Sequence, residues 1–115
     1  MAHKYNARKT TIDGITFDSK AEAARYQDLR LLEQSGYISE LVLQPIFELQ
    51  PGFEHDGKRE RPITYIADFR YEQDGKVIVE DVKGMRTREF NLKRKLFLYT
   101  YGDKYEFRLT GKGIS

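Results

Sequence analysis

The chain has 115 residues, of which 39% are apolar and 33% charged, a composition typical of one globular domain rather than of a disordered segment. It contains no apolar run near the ~18 residues of a membrane span, and its polar N-terminal segment differs from a signal peptide. The absence of cysteine excludes disulfides and thiolate metal sites, and we expect a cytoplasmic protein that does not bind membranes.

Positive charge is concentrated in the C-terminal third of the chain. Residues 83–112 contain nine Lys or Arg residues and three Asp or Glu residues, a net charge of +6, whereas the whole chain carries +2. A basic segment of this kind favours an anionic partner, most commonly a nucleic acid. A solvated helix face explains the charges equally well when no motif is considered.

The N-terminal part predicts a flexible basic arm over residues 1–10, a small hairpin and a helix. Asp13-Gly14 between β-branched residues is a hairpin turn signal. Ser19, followed three residues later by Glu22, fits a capping box that begins a helix ending near Gln34. Its buried stripe is predicted to consist of Tyr26, Leu29 and Leu32.

The remaining elements are predicted strands and one more helix in a single domain over residues 11–110, with a C-terminal tail over 111–115. Pro45 indicates an edge or bulge in the first of these strands. Asp74-Gly75 predicts a tight hairpin. After the small hairpin, the order is helix, three strands, helix and strand. The predicted segments are strands at 41–50, 63–72, 77–84 and 105–109, a charged loop at 54–62 and a helix at 87–102.

Two aspartates face each other in the second hairpin. If Asp74-Gly75 forms a two-residue turn, Asp68 lies opposite Asp81 with Cβ atoms roughly 4.5–5.5 Å apart. Lys83 shares their face because side chains alternate along a strand, and its predicted cross-strand partner is Ile66. Opposed carboxylates repel, and a Mg²⁺ ion held by one or two carboxylates, waters and a phosphate would resolve the repulsion.

The alternative for these charges is a set of surface ion pairs. In that arrangement Lys83 pairs with Asp81 or Glu80, and Asp68 pairs with Arg70. On the charge pattern alone, the two explanations are equally good. Glu80 is the weaker candidate for a metal ligand because it points to the opposite side of the strand from Lys83.

Two helix residues and one amide extend the candidate site. Glu22 continues the buried stripe of its helix and could reach the sheet as a ligand, directly or through water, although capping the helix is its simpler role. Lys93 falls within the apolar arc of the second helix, which favours a phosphate contact, with snorkelling to solvent as the alternative. Gln44 either positions groups near the site or caps backbone at a strand edge.

These residues and the element order resemble the PD-(D/E)XK nuclease superfamily. The matching residues are Glu22 in the first helix, Asp68 in YIADF, and Asp81 and Lys83 in EDVKG, while Ala67 stands at the position of the motif's proline. Residues 4–110 also resemble a group of small phage- and prophage-encoded, Holliday-junction-resolvase-like endonucleases. That resemblance lies in ITFDSKAEAARYQDLRLLEQSGYISELVLQP, RPITYIADFRY and KRKLFLYTYG.

The resemblance implies an α/β fold with a restriction-endonuclease-like αβββαβ core, in which two helices flank a mixed sheet. It implies a Mg²⁺-dependent endodeoxyribonuclease, with Mn²⁺ as a substitute, in which Glu22, Asp68 and Asp81 hold metal and Lys83 positions the attacking water. Branched DNA or Holliday junctions in phage recombination are the implied substrate, in the host cytoplasm if the protein is phage-encoded.

Several expectations about partners remain open at this point. Cleavage of a four-way junction needs two active sites, so we expect a homodimer. The alternatives are a general or partner-dependent nicking nuclease, a non-catalytic nucleic-acid-binding module, or an enzyme acting on structured RNA. The residues expected to contact DNA phosphates are Arg86, Arg88, Lys93, Arg94, Lys95, Lys4, Arg8 and Lys9.

Overall fold

The computed structural model describes residues 9–111, which form two helices and ten strands. Neither of these helices has the length and apolar character needed to cross a bilayer. The elements are β1 (Thr10–Ile12), β2 (Ile15–Phe17), α1 (Lys20–Gln34), β3 (Ser39–Leu43), β4 (Ile46–Gln50), β5 (Phe53–His55), β6 (Lys58–Glu60), β7 (Ile63–Ile66), β8 (Phe69–Gln73), β9 (Lys76–Val82), α2 (Arg88–Tyr101) and β10 (Glu106–Thr110).

A four-stranded mixed sheet with the order β10-β9-β8-β3 forms the centre of the domain. β10 runs parallel to β9, while β8 is antiparallel to both of its neighbours. Its strands and the two helices occur along the chain as α1, β3, β8, β9, α2 and β10, and the β1–β2 hairpin precedes them. The predicted α/β class with a mixed sheet and two helices is therefore confirmed.

The two helices pack against separate hydrophobic clusters. Tyr26 and Leu29 of α1 pack in one cluster with Ile78, whereas Phe97 of α2 packs in the other with Val79. Because consecutive side chains of a strand point to opposite faces, Ile78 and Val79 place the clusters on the two sides of β9. Both faces of the sheet are thereby covered.

Both helices begin where the sequence predicted, because each has a hydroxyl cap. The side-chain oxygen of Ser19 accepts a hydrogen bond from the Glu22 N–H at 3.1 Å, and that of Thr87 accepts from the Phe90 N–H at 3.1 Å. The Glu22 side chain itself is 6% exposed and lies on the buried side of α1. The sequence prediction that Glu22 continues the buried stripe of its helix is confirmed.

The two longest predicted strands are wrong in one respect, because each is broken in the middle. Residues 41–50 divide into β3 and β4, and residues 63–72 divide into β7 and β8. The breaks lie side by side: the Gln44 N–H donates to the Asp68 carbonyl at 3.0 Å, and the Ala67 N–H donates to the Pro45 carbonyl at 3.1 Å. β4 and β7 then form a separate pair in which Ile66 lies opposite Ile46 rather than opposite Lys83.

Three smaller boundaries also differ from the sequence prediction. The charged segment at 54–62 contains the β5–β6 hairpin instead of a loop, since Asp56-Gly57 supplies the two positive φ angles (49° and 76°) of a tight turn. The last strand begins at Glu106, one residue late, and β1 already includes Thr10 of the predicted arm. Residues 1–8 and 112–115, with most of the predicted arm and tail, lie outside the described residues.

We expect Leu29→Ala to lower the free energy of unfolding by roughly 2–5 kcal/mol, because Leu29 is 0% exposed and its loss leaves a cavity between α1 and the sheet. Leu31→Ala is the matched control on the same helix, since Leu31 is 63% exposed, and should change stability by less than ~0.5 kcal/mol. Urea unfolding followed by circular dichroism measures both. Equal losses would contradict the described packing of α1.

Candidate active site

The register of β8 and β9 brings Asp68 next to Asp81, as the sequence predicted. Gln73 pairs with Lys76 across the turn, and the register continues to the pair of Phe69 with Glu80. Asp68 directly precedes β8 and is held to β9 twice. Its N–H donates to the Glu80 carbonyl at 3.1 Å, and its side-chain Oδ2 accepts from the Val82 N–H at 2.7 Å.

Asp81 is the most deeply placed of the candidate residues, with 1% of its surface exposed. The buried Tyr65 hydroxyl donates a short hydrogen bond to Asp81 Oδ2. The Lys83 Nζ lies 3.2 Å from Oδ1, as the predicted neighbour of this acid. That approach lacks hydrogen-bond alignment, so Oδ1 is a buried oxygen with no hydrogen-bonding partner among residues 9–111. Such atoms are rare in folded proteins and often mark a bound ion or water.

The charge of Asp81 acts on two other carboxyl groups, those of Asp68 and Glu22. Burial, the Asp81 charge and the Glu22 charge raise the pKa of Asp68 to about 8. Burial and the charges of Asp18 and Asp81 also raise the pKa of Glu22. Acids brought together in this way need a proton or a cation to offset their repulsion.

The Lys83 side chain and backbone are both fixed near the acids. Its Nζ lies 4.8 Å from the centre of the Phe90 ring, and its N–H donates to the Thr110 carbonyl at 2.8 Å. Gly111, with φ at +128°, follows directly, and a Cβ atom there would lie 2.5 Å from the Lys83 carbonyl oxygen. The end of β10 therefore approaches the backbone of Lys83 as closely as glycine allows.

The acids fit a Mg²⁺ ion as a two-carboxylate site, not as a complete protein cage. Within residues 9–111, no three acidic or histidine side chains converge around one point at ligand distance. Mg²⁺ commonly uses one or two carboxylates and completes its shell with waters and substrate phosphate. Asp68 and Asp81 supply the oxygen type required, and Asp81 Oδ1 is a buried oxygen without a hydrogen bond from the described part of the chain. Glu22 lies close enough to the two aspartates for the Asp81 charge to raise its pKa.

A cavity of about 230 Å³ opens beside Lys83, between β7 and the first turns of α2. Its lining includes the lysines Lys83 and Lys93 and the hydroxyl-bearing residues Thr64 and Thr87. Glu89 places a carboxylate at the same opening. Lys93 is half-buried, as is Arg94, so its predicted position inside the apolar arc of α2 stays a prediction. Its phosphate contact remains a prediction.

The other basic residues proposed for DNA binding are distributed around α2 and the N-terminal end of the domain. Arg86, Arg88, Lys95 and Lys9 are exposed, whereas the Arg94 guanidinium lies 5.6 Å over the Phe107 ring. Lys4 and Arg8 lie outside the described residues. Their contacts with DNA remain predictions.

Of the alternative surface ion pairs, only Lys83 with Asp81 is present in the described residues. The Arg70 guanidinium lies 5.5 Å over the Tyr105 ring, and Asp68 is occupied by the Val82 N–H. Because Asp81 is buried, this pair is not a solvent-screened surface contact.

Sequence patterns missed two groups that surround the acids. Tyr65 lies in the predicted strand at 63–72, where no pattern marks a role for it. A buried tyrosine hydroxyl usually has a partner, and here that partner is Asp81. Glu80 was set aside because it faces away, which is correct, but it is fully buried and bound by Arg25 of α1. Gln44 contributes its backbone N–H to Asp68, while its side chain is exposed.

Taken together, the fold and the acids define an α/β protein with a lysine and buried carboxylates at the junction of two sheets. The chain belongs to a family described as "protein of unknown function (DUF1064)", whose model matches residues 2–111. No curated protein matches the chain.

The raised pKa of Asp68 gives stability a specific pH dependence. Between about pH 4 and pH 8 the unfolded chain has lost this proton while the folded protein retains it, so the free energy of unfolding falls as pH rises through that window. We expect Asp68→Asn to remove this pH-dependent loss. The free energy of unfolding of the metal-free variant minus that of the wild type should be larger at pH 8.5 than at pH 4, by roughly 1–3 kcal/mol.

Thermal unfolding of the wild type and the variant across this pH range measures the difference. Asp74→Asn is the control, because Asp74 is an exposed turn residue whose positive φ asparagine tolerates. Its curve should run parallel to that of the wild type. A stability difference between wild type and Asp68→Asn that is the same at pH 4 and pH 8.5 would contradict the buried acid pair.

Proposed function

We propose that this protein is a Mg²⁺-dependent endodeoxyribonuclease. The observation that carries the proposal is the acid pair beside a lysine: Asp68, with its pKa raised to about 8, adjoins buried Asp81, whose Oδ1 lies 3.2 Å from the Lys83 Nζ. Carboxylates that oppose one another's ionisation favour a cation, and a neighbouring ammonium favours a substrate that carries negative charge. A phosphodiester can bind both the cation and the ammonium group.

Each residue has a defined role in this proposal. Asp68 and Asp81 would hold Mg²⁺, or Mn²⁺ in its place, and Glu22 would join them directly or through a water. The bound ion supplies charge stabilisation for the phosphoryl group and the leaving oxygen. The Lys83 Nζ orients the attacking water and stabilises charge that develops on the phosphate. Products with a 5′ phosphate and a 3′ hydroxyl are those that the resemblance to PD-(D/E)XK nucleases implies.

Tyr65 has a supporting role in holding Asp81. Burial and the Asp81 charge raise the pKa of Tyr65, so its hydroxyl keeps its proton and remains a donor at all physiological pH values. Its hydrogen bond occupies Asp81 Oδ2 and leaves Oδ1 for an ion. This division of the two oxygens orients the carboxylate, as outer partners of metal ligands commonly do.

The cavity and the basic residues of α2 would bind the DNA backbone. Lys83 and Lys93 line the cavity, and exposed Arg86, Arg88 and Lys95 lie on the same loop and helix. Their charge is the kind that releases counterions from DNA, so binding should weaken steeply with salt. The carboxylate of Glu89 at the opening disfavours deep entry of a phosphate on that side.

The order α1-β3-β8-β9-α2-β10 supports a restriction-endonuclease-like core. With this core we propose branched DNA, such as Holliday junctions in phage recombination, as the substrate, and a homodimer as the form that cuts both strands. The alternative of a non-catalytic DNA-binding module is favoured by one observation, the lack of a complete three-ligand cage within residues 9–111.

We expect Asp81→Asn to reduce DNA cleavage at least ~100-fold, because the amide keeps the shape of the side chain but removes the charge that holds the cation. The assay incubates the protein and MgCl₂ or MnCl₂ with labelled four-way junction, flap, linear duplex and single strand. Asp74→Asn, the same chemical change at an exposed turn, should retain full activity. Circular dichroism establishes that both variants fold.

The pattern of products separates the candidate functions. Symmetric cuts near the junction centre that disappear in Asp81→Asn support the resolvase proposal. Nicking of linear duplex supports a general nuclease. Binding of DNA without cleavage in either metal, by wild type and variant alike, would contradict the enzyme and favour the non-catalytic module.

A further inference from the structure

Glu80 is a fully buried carboxylate next to Asp81, on the opposite face of β9. Both of its oxygens are occupied. Oε2 accepts from the Arg25 Nε at 2.6 Å and the Thr110 hydroxyl at 2.9 Å. Oε1 accepts from the Arg25 Nη2 at 3.0 Å and the Tyr71 hydroxyl at 2.6 Å. We call this set of four residues the Glu80 hub.

The centre of the hub is a two-point contact. The Arg25 guanidinium donates to both oxygens of the buried Glu80 carboxylate, at 2.6 and 3.0 Å. A two-point arginine–carboxylate pair fixes distance and angle together, which apolar packing does not. Buried pairs add little net stability compared with apolar replacements, so their contribution is chiefly geometric.

Each bond of the hub leads to an element that carries, adjoins or contacts a candidate site residue. Arg25 lies one turn after Glu22 on α1, so the two side chains are neighbours on the helix surface. The Thr110 carbonyl accepts the Lys83 N–H at 2.8 Å, and the Glu80 carbonyl accepts the Asp68 N–H at 3.1 Å. The hub therefore joins α1, β8, β9 and β10 immediately behind the acids.

We propose that Arg25 and Glu80 are positioning residues that set the location of Glu22 relative to Asp68 and Asp81. They contact neither metal nor substrate and act through α1. The chain places two acids in succession on β9: Asp81 faces the site, and Glu80 anchors the helix that carries the third acid. This inference rests on the proposed function for its catalytic meaning, but the positioning itself is a property of the metal-free protein.

The test compares Arg25→Met with a variant that is destabilised in the same core but away from the hub. Ile38→Ala serves this purpose, because Ile38 is 4% exposed and packs in the cluster shared by α1 and the sheet. Arg25→Lys is the conservative variant, since it keeps the charge but loses the two-point contact. Unfolding free energies, Mn²⁺ dissociation constants and crystal structures are measured for all three variants and the wild type.

We expect Arg25→Met to weaken Mn²⁺ binding about tenfold, the size of effect common for groups that orient metal ligands, with Arg25→Lys intermediate. Its Glu22 carboxyl should move away from Asp68 by about 1 Å or more, a displacement large enough to impair catalysis. Ile38→Ala should lose stability yet keep the wild-type Mn²⁺ affinity within about twofold, because its cavity lies at the far end of α1.

The inference is overturned if Mn²⁺ affinity falls equally in Arg25→Met and Ile38→Ala, since the effect would then follow from stability alone. It is also overturned if Glu22 stays in place in Arg25→Met. A wild-type protein that fails to bind Mn²⁺ overturns the proposed function. In that case the position of Glu22 in Arg25→Met alone tests the positioning role of the hub. If Arg25→Met weakens Mn²⁺ binding but the wild type cleaves no DNA, the positioning role of the hub is supported and the nuclease function is overturned.

Discussion

The interaction on which the site depends is the double attachment of Asp68 to β9. Its N–H and its carboxylate both bind backbone groups of that strand, at 3.1 and 2.7 Å. These bonds keep the carboxyl beside Asp81 although burial and like charge oppose its ionisation. Asp68 lies in the break between β7 and β8, where its carboxylate accepts the Val82 N–H.

The two acidic residues of β9 lie on opposite faces of the strand and make different contacts. On the face packed with α1, both oxygens of Glu80 accept hydrogen bonds, from Arg25 and from two hydroxyl groups. On the other face, Asp81 has one oxygen bound by Tyr65 and the other near Lys83. The two adjacent acids therefore differ in their contacts: both oxygens of Glu80 are hydrogen-bonded, whereas Asp81 Oδ1 has no hydrogen-bonding partner within residues 9–111. The aromatic residues around Phe97 and Tyr65 supply apolar packing, whose stabilisation offsets the cost of burying these acids.

Local signals in the sequence were sufficient for the parts of the fold that local chemistry determines. Asp74-Gly75 predicted the register that opposes Asp68 and Asp81, and Ser19 marked the start of α1. The break at Asp68 was not predictable, because alternation continues through residues 63–72, whereas Pro45 had indicated a disturbance in the first strand. The contacts that divide both segments join residues over 20 positions apart. The Arg25–Glu80 pair was missed for the same reason, since it joins residues 55 positions apart.

The central claim is that Asp68 and Asp81 share one divalent cation, and anomalous X-ray scattering from crystals soaked in MnCl₂ tests it most directly. The account predicts one anomalous peak at about 2.0–2.2 Å from a carboxylate oxygen of each residue, with Lys83 beside it. The peak should vanish in Asp81→Asn. Crystals of the wild type with no peak between these two aspartates, at Mn²⁺ concentrations that mark other carboxylates on the surface, would contradict it.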